Sequence, residues 1–130
     1  MISLKYFIYV FLLSALFVCN CAKVNEDKSI TDEQLREEMK TNEHLIILDV
    51  RNPYELSGPL GYIKGAINIP VQELETRINE LDEYKENDIM VICRSGRRSL
   101  IATNLLLERG FSAKNIIGGM KDFRTSEVEK

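Results

Sequence analysis

The apolar run DIMVIC (88–93) ends on a cysteine, and RSGRRS follows it: Arg94, Ser95, Gly96, Arg97, Arg98 and Ser99. A thiol does chemistry as its thiolate, and nearby positive charge with converging backbone N–H groups favours that ion. The chemistry this stretch supports is nucleophilic attack by sulfur on an anionic substrate held over the loop. Cysteine is often no more than a small core residue, but arginine at three of the next five positions argues against that role here. Of Cys19, Cys21 and Cys93, only Cys93 lies in the globular part. A thiol without an intramolecular partner suggests a reactive group or an intermolecular bond. The only histidine, His44, precedes an apolar run and reads as a surface residue, so no Cys–His dyad is expected. No ligand cluster has metal spacing, and neither a metal nor an organic cofactor is expected.

Elements must place this cysteine where a substrate can reach it. SITDEQLREEMKT begins a helix with Thr31 as N-cap and Gln34 at the capping-box position. HLIILDV (44–50) is a continuous apolar run and predicts a strand buried on both faces. Two prolines and three glycines break up NPYELSGPLGYIKG, which reads as loop with one helical turn at Pro53–Leu56. AINIP (66–70) predicts a short strand. VQELETRINELDEY places Leu74, Ile78 and Leu81 on one face of an amphipathic helix. DIMVIC is a third buried strand, RRSLIATNLLLERG a helix ended by Gly110, and AKNIIGG a fourth strand. Strands alternating with helices predict an α/β domain with a mostly parallel sheet flanked by helices on both faces. Cys93 then sits at the carboxyl end of a strand, where such sheets bind ligands. The N–H groups of residues 94–98 and the positive end of the next helix converge there on an anion.

With 130 residues the chain has room for one domain that folds without disulfides or metal. Its 45% hydrophobic and 28% charged residues mark a globular protein, and a net charge of −3 offers no basic face for nucleic acid, so no nucleic-acid partner is expected. Residues 1–21 differ from the rest: Lys5, an apolar run from Tyr6 to Val18, then Cys19, Asn20 and Cys21. This pattern predicts an export signal, with an uncleaved anchor as the alternative. The run ends like the lipobox of bacterial lipoproteins, with Cys21 the candidate for lipidation and an ordinary cleaved signal the other reading. The expected location is therefore exported, in the bacterial periplasm or cell envelope, tethered to the membrane. Residues 22–29 read as a polar tether, 30–124 as the domain and 125–130 as a polar tail.

Taken together, LDVRNPYEL, GYIKGAINIP, VICRSGRRS and NIIGGMKDF, in this order and spacing, resemble the single-domain rhodanese (sulfurtransferase) family over roughly residues 30–123. The resemblance implies a rhodanese-like fold, a persulfide on Cys93 during turnover, and Arg94 to Arg98 as the active-site loop. Asp49 and Arg51 match the family's D-x-R strand end, Glu55 the acid after it, and Gly118–Gly119 the glycine pair after the last strand. For Asp49, Arg51 and Glu55 an ion pair supporting the loop is expected, with Arg51 also a candidate to face the pocket. Ser99 is a further supporting residue. Tyr62 stands where the family often has histidine, and Met120 where it often has an aromatic residue.

The resemblance implies a two-step transfer. Cys93 thiolate takes sulfur from an anionic donor such as thiosulfate, and a thiophilic acceptor, cyanide or a thiol, removes it. Arg97 and Arg98 begin a helix, where cations oppose the dipole, so donor binding is expected to explain them. Three alternatives belong to other classes: a persulfide carrier serving a protein acceptor, a phosphatase or arsenate reductase, and a non-catalytic binding module. Phosphatases on this fold resemble C-x5-R, and position 99 here is serine. Non-catalytic modules usually lose the cysteine.

Overall fold

The computed structural model describes residues 28–128. The expectations for residues 1–21, for Cys21 and for the tether up to Asp27 lie outside the described residues, as do Glu129 and Lys130.

Five strands form one parallel sheet: β1 (Ser29–Ile30), β2 (Leu45–Asp49), β3 (Ile67–Asn68), β4 (Asp88–Ile92) and β5 (Ser112–Ile116). Their order is β1-β5-β4-β2-β3. Parallel neighbours need crossovers, and helices lie in them: α1 (Asp32–Thr41), the single turn α2 (Pro53–Leu56), α3 (Val71–Arg77) and α4 (Arg97–Glu108), with α5 (Gly119–Val128) following the last strand. The central strands are covered on both faces, which is why β2 and β4 read as unbroken apolar runs.

Alternation along β4 divides the core. Ile89, Val91 and then Cys93 pack with Leu74, Ile78, Leu81, Ala102 and Leu106 on one face. Met90 and Ile92 pack with Leu35, Met120 and Phe123 on the other. The period of two thus sends the Cys93 side chain toward α4.

Where the structure departs from the sequence reading, packing explains it. The helix expected over 71–84 is α-helical only to Arg77 and continues as a 3-10 helix over Ile78–Tyr84. From Ile78 the apolar spacing becomes three, as Ile78, Leu81 and Tyr84, which three residues per turn keep on one face. Ser29, assigned to the tether, pairs with Asn115 in β1. Thr125–Val128, assigned to a polar tail, belong to α5. That helix is held by long-range contacts invisible to local pattern. Arg36 of α1 lies 4.0 Å over the Phe123 ring and donates to Ser126 Oγ at 3.0 Å. The capping box of α1 forms as expected, Gln34 N–H to Thr31 Oγ1 at 3.3 Å and Thr31 N–H to Gln34 Oε1 at 2.9 Å.

Candidate active site

Register brings the site residues together. β2 and β4 run side by side to Asp49 and Ile92, and the Val50 N–H donates to the Ile92 carbonyl at 2.9 Å. Asp49–Arg51 and Cys93 therefore emerge at the same edge, while His44 lies at the amino end of β2, away from the thiol. From Cys93 the chain turns through Gly96, at φ 94°, into α4. A side chain at that φ is strained, and a Cβ on Gly96 would also stand 3.2 Å from the Ile116 carbonyl oxygen. Gly119 closes the back of the loop: a Cβ there would strike the backbone of Cys93 and Arg94. In its absence Met120 N–H reaches the Cys93 carbonyl at 2.8 Å, and Lys121 N–H the Arg94 carbonyl at 3.1 Å.

Inside this turn the Cys93 sulfur, on a residue only 1% exposed, accepts a hydrogen bond from Gly96 N–H at 3.1 Å and one from Ser99 Oγ at 3.2 Å. Burial is the largest single influence on the thiol and raises its pKa. Bonds from the Ser99 hydroxyl and from the backbone N–H groups of Ser99, Ser95 and Gly96 outweigh it together, so the net shift is downward. The cradle is thus built by backbone and hydroxyl donors and reaches to Ser99, one residue beyond the expected stretch. None of the guanidinium groups of Arg94, Arg97 and Arg98 hydrogen-bonds to the sulfur.

Ser99 has a second partner, which the sequence reading missed. Its oxygen lies 2.6 Å from Oδ1 of Asn115, a buried residue of β5 whose Nδ2 stands 3.4 Å from Ser29 Oγ. One hydroxyl proton cannot serve both sulfur and amide oxygen. A neutral thiol lets Ser99 donate to Asn115, whereas a thiolate draws the proton toward itself. A polar residue inside the apolar run AKNII was the one signal available. Ser99→Ala is expected to raise the Cys93 pKa, because the thiolate loses one of its hydrogen-bond donors. The pH dependence of iodoacetamide alkylation measures this, and an unmoved midpoint would show that the hydroxyl stays on Asn115.

Two ion pairs brace the loop. Arg51 and Asp49 are each 1% exposed. The guanidinium donates to Asp49 Oδ2 at 2.6 Å and to the Gly61 carbonyl at 2.8 Å. Asn68 Nδ2, also unanticipated, donates to the carbonyls of Asp49 and Arg51, both at 2.9 Å. Arg51 does line a cavity beside the loop, but its charge is committed to Asp49. The expected supporting pair is therefore Asp49–Arg51, and Glu55 pairs elsewhere.

Its partner is Arg98, through two bonds of 2.7 and 2.8 Å. Arg98, expected to bind the donor anion, thus has a partner that the sequence reading did not give it: a cation in the first turn of α4, unfavourable to the helix dipole, is offset by a carboxylate from α2. The Arg98 hydrogen bond is the main cause that lowers Glu55 from its ordinary 4.5 to about 2. Because the folded pKa is depressed, the stabilisation is fully present above about pH 4.5 and is lost as pH falls toward 2. Arg98→Ala is accordingly expected to lower the rates of donor and acceptor half-reactions alike, by destabilising the loop, and to cost roughly 1–3 kcal/mol of stability at neutral pH, with the difference from wild type shrinking in acid. Stopped-flow half-reactions and urea unfolding at pH 7 and pH 3 check both parts. A loss confined to the donor step would restore Arg98 as an anion ligand.

The arrangement can stabilise a thiolate and hold the extra sulfur of a persulfide with the same donors. A family model for the rhodanese-like domain matches residues 31–126. Among curated proteins, the chain is 32% identical over 98 residues to a sulfurtransferase of Allochromatium vinosum, covering 75% of this chain and 85% of that one. It is 36% identical over 82 residues to the thiosulfate sulfurtransferase PspE of Escherichia coli, covering 63% and 77%. A candidate sulfur carrier of Bacillus subtilis, YrkF, is 39% identical over 95 residues; the match covers 72% of this chain and only 49% of YrkF. Among solved structures, a rhodanese-related protein of Thermoplasma volcanium superposes with a TM-score of 0.68 at 32% identity, covering 76% and 92%. The fold, the loop around Cys93 and this shared sequence agree: the chain belongs to the rhodanese-like domain family.

Proposed function

We propose that the protein is a sulfurtransferase that accepts sulfane sulfur from thiosulfate or a similar anion onto Cys93 and passes it, as a persulfide, to cyanide or a thiol. The observation that carries this reading is the Cys93 sulfur itself, held by Gly96 N–H and Ser99 Oγ at 3.1 and 3.2 Å in a loop that favours its anion. In the first half-reaction Cys93 thiolate attacks the outer sulfur of thiosulfate. A sulfur–sulfur bond forms, the bond to the sulfonate sulfur breaks, and sulfite leaves with that electron pair. The loop donors stabilise the terminal anion of the persulfide. Position 99 holds a buried serine against the thiol where phosphatases that resemble C-x5-R carry arginine, which favours sulfur transfer over phosphate chemistry. Intact-mass spectrometry before and after thiosulfate is the direct test: one added sulfur on wild type and none on a Cys93 variant supports the reading, and an unchanged wild-type mass overturns it.

A second reading, a persulfide carrier for a protein acceptor, is favoured by the similarity to the candidate sulfur carrier YrkF. It shares the first half-reaction and is distinguished by capture of a partner on the trapped persulfide. The N-terminal pattern further supports export and tethering in a bacterial envelope through lipid on Cys21. Fatty-acid labelling that Cys21→Ala abolishes would bear this out, and labelling that survives the change would refute it.

A further inference from the structure

A cavity of about 420 Å³ borders the loop, walled by Tyr54, Pro59, Leu60, Glu55, Arg94 and Lys121. Its size is within the roughly 300–1,000 Å³ usual for sites that hold small organic molecules, and thiosulfate or cyanide would fill little of it. Resting on the sulfur-transfer reading, we propose that this cavity takes the organic part of the sulfur acceptor, and that the acceptor is a low-molecular-weight thiol carrying a carboxylate.

Charge on the wall points to the carboxylate. Glu55 is bonded through both oxygens to Arg98, and Arg51, the other cation at this cavity, is paired with Asp49. No ion pair joins Arg94 or Lys121 to a carboxylate among the described residues, and both are exposed. Among the described residues the lining therefore carries two positive charges without an ion-pair partner. Position connects them to the thiol: Arg94 is the residue after Cys93, and Lys121 is locked beside it by the bond from its N–H to the Arg94 carbonyl at 3.1 Å. Tyr54, Pro59 and Leu60 add apolar surface to the lining. Tyr54 is 75% exposed, so its ring has no core to fill and is free to cover carbon atoms of a bound molecule, as are Pro59 and Leu60.

The step balances without any further reagent. The acceptor thiolate attacks the outer sulfur of the Cys93 persulfide, forming a new sulfur–sulfur bond. The bond between Cys93 Sγ and that outer sulfur breaks, and Cys93 leaves as thiolate into the cradle of Gly96 and Ser99. The proton that the acceptor thiol loses on ionising is taken up by the terminal sulfur anion of the Cys93 persulfide before the attack, so the outer sulfur departs protonated as the acceptor persulfide. Arg94 and Lys121 hold the acceptor by its carboxylate, so that its sulfur arrives as part of a bound molecule.

The test compares 3-mercaptopropionate with 2-mercaptoethanol in single-turnover discharge of the Cys93 persulfide, at equal thiolate concentration, by intact mass. Loading is scored separately: failure of thiosulfate to load Cys93 overturns the proposed donor, and the protein is then loaded with inorganic polysulfide so that discharge is still read. A Cys93 that neither reagent loads overturns both readings. Wild type is expected to discharge roughly tenfold faster to the carboxylate thiol, the scale of one charge-assisted contact at a partly solvated site. Lys121→Gln should shrink that ratio, and Lys121→Glu should bring it to one or below. Lys121 is exposed and its side chain packs in no core cluster, so both variants are expected to fold, which their melting temperatures check. A wild-type ratio near one, or a ratio that neither substitution moves, would overturn the proposal.

Discussion

Cys93→Ser is expected to fold like the wild type and to transfer no measurable sulfur, a loss of at least about a thousandfold. Serine is nearly isosteric with cysteine, and the site is only 1% exposed, so neither a cavity nor a clash follows. The donors that face the sulfur, Gly96 N–H and Ser99 Oγ, can bond an alcohol oxygen as well. What changes is the nucleophile. The loop lowers the thiol pKa against the opposing effect of burial, and the same donors cannot make a nucleophilic anion of an alcohol, which is a far weaker acid than a thiol. The folded variant should therefore show a wild-type circular dichroism spectrum and melting temperature, no mass increase with thiosulfate, and no thiocyanate from cyanide. Turnover near the wild-type rate by a folded Cys93→Ser protein would sink the persulfide mechanism.

Asp49→Ala should have the largest effect on stability, about 3–5 kcal/mol, because it leaves the Arg51 guanidinium buried without its anion. Three of the short polar contacts in this corner converge on Asp49: Arg51 Nε at 3.0 Å, Arg51 Nη2 at 2.6 Å and Arg51 N–H at 3.0 Å. Alanine removes all of them and leaves the guanidinium only neutral carbonyl acceptors, those of Gly61 at 2.8 Å and Glu55 at 3.5 Å. Urea unfolding measures the loss as a lower midpoint at unchanged slope. Asp49→Leu combined with Arg51→Met should recover much of it, since an apolar pair removes the desolvated charge together with its partner. A loss below about 1 kcal/mol for Asp49→Ala would mean that Arg51 swings into the cavity it borders and becomes solvated there.

Cys93 with the arginines and glycine after it was legible as a reactive loop because the signal is local: residue types within a few positions of a strand end decide the turn and its donors. The same is true of the Thr31–Gln34 capping box and of the runs that became β2 and β4. The partners of the loop arginines were not legible. Arg98 meets Glu55 from 43 positions away and Asn115 meets Ser99 from 16, and only packing a sheet against its helices decides such pairs. Ser126 and Glu127 likewise look like a polar tail along the chain, but Arg36 of α1 holds both.

By itself the sequence determined the order of elements from α1 to β5, the strand end that bears the thiol, and the family to which the chain belongs, since these rest on hydrophobic period and on residues adjacent in the chain. Tertiary structure alone decided which cations stay free. Arg51 and Arg98 are committed to Asp49 and Glu55, whereas Arg94 and Lys121 face a cavity together. The physical reason is that a charge acts through what lies within a few ångströms of it, and a parallel sheet makes neighbours of residues that the chain keeps far apart.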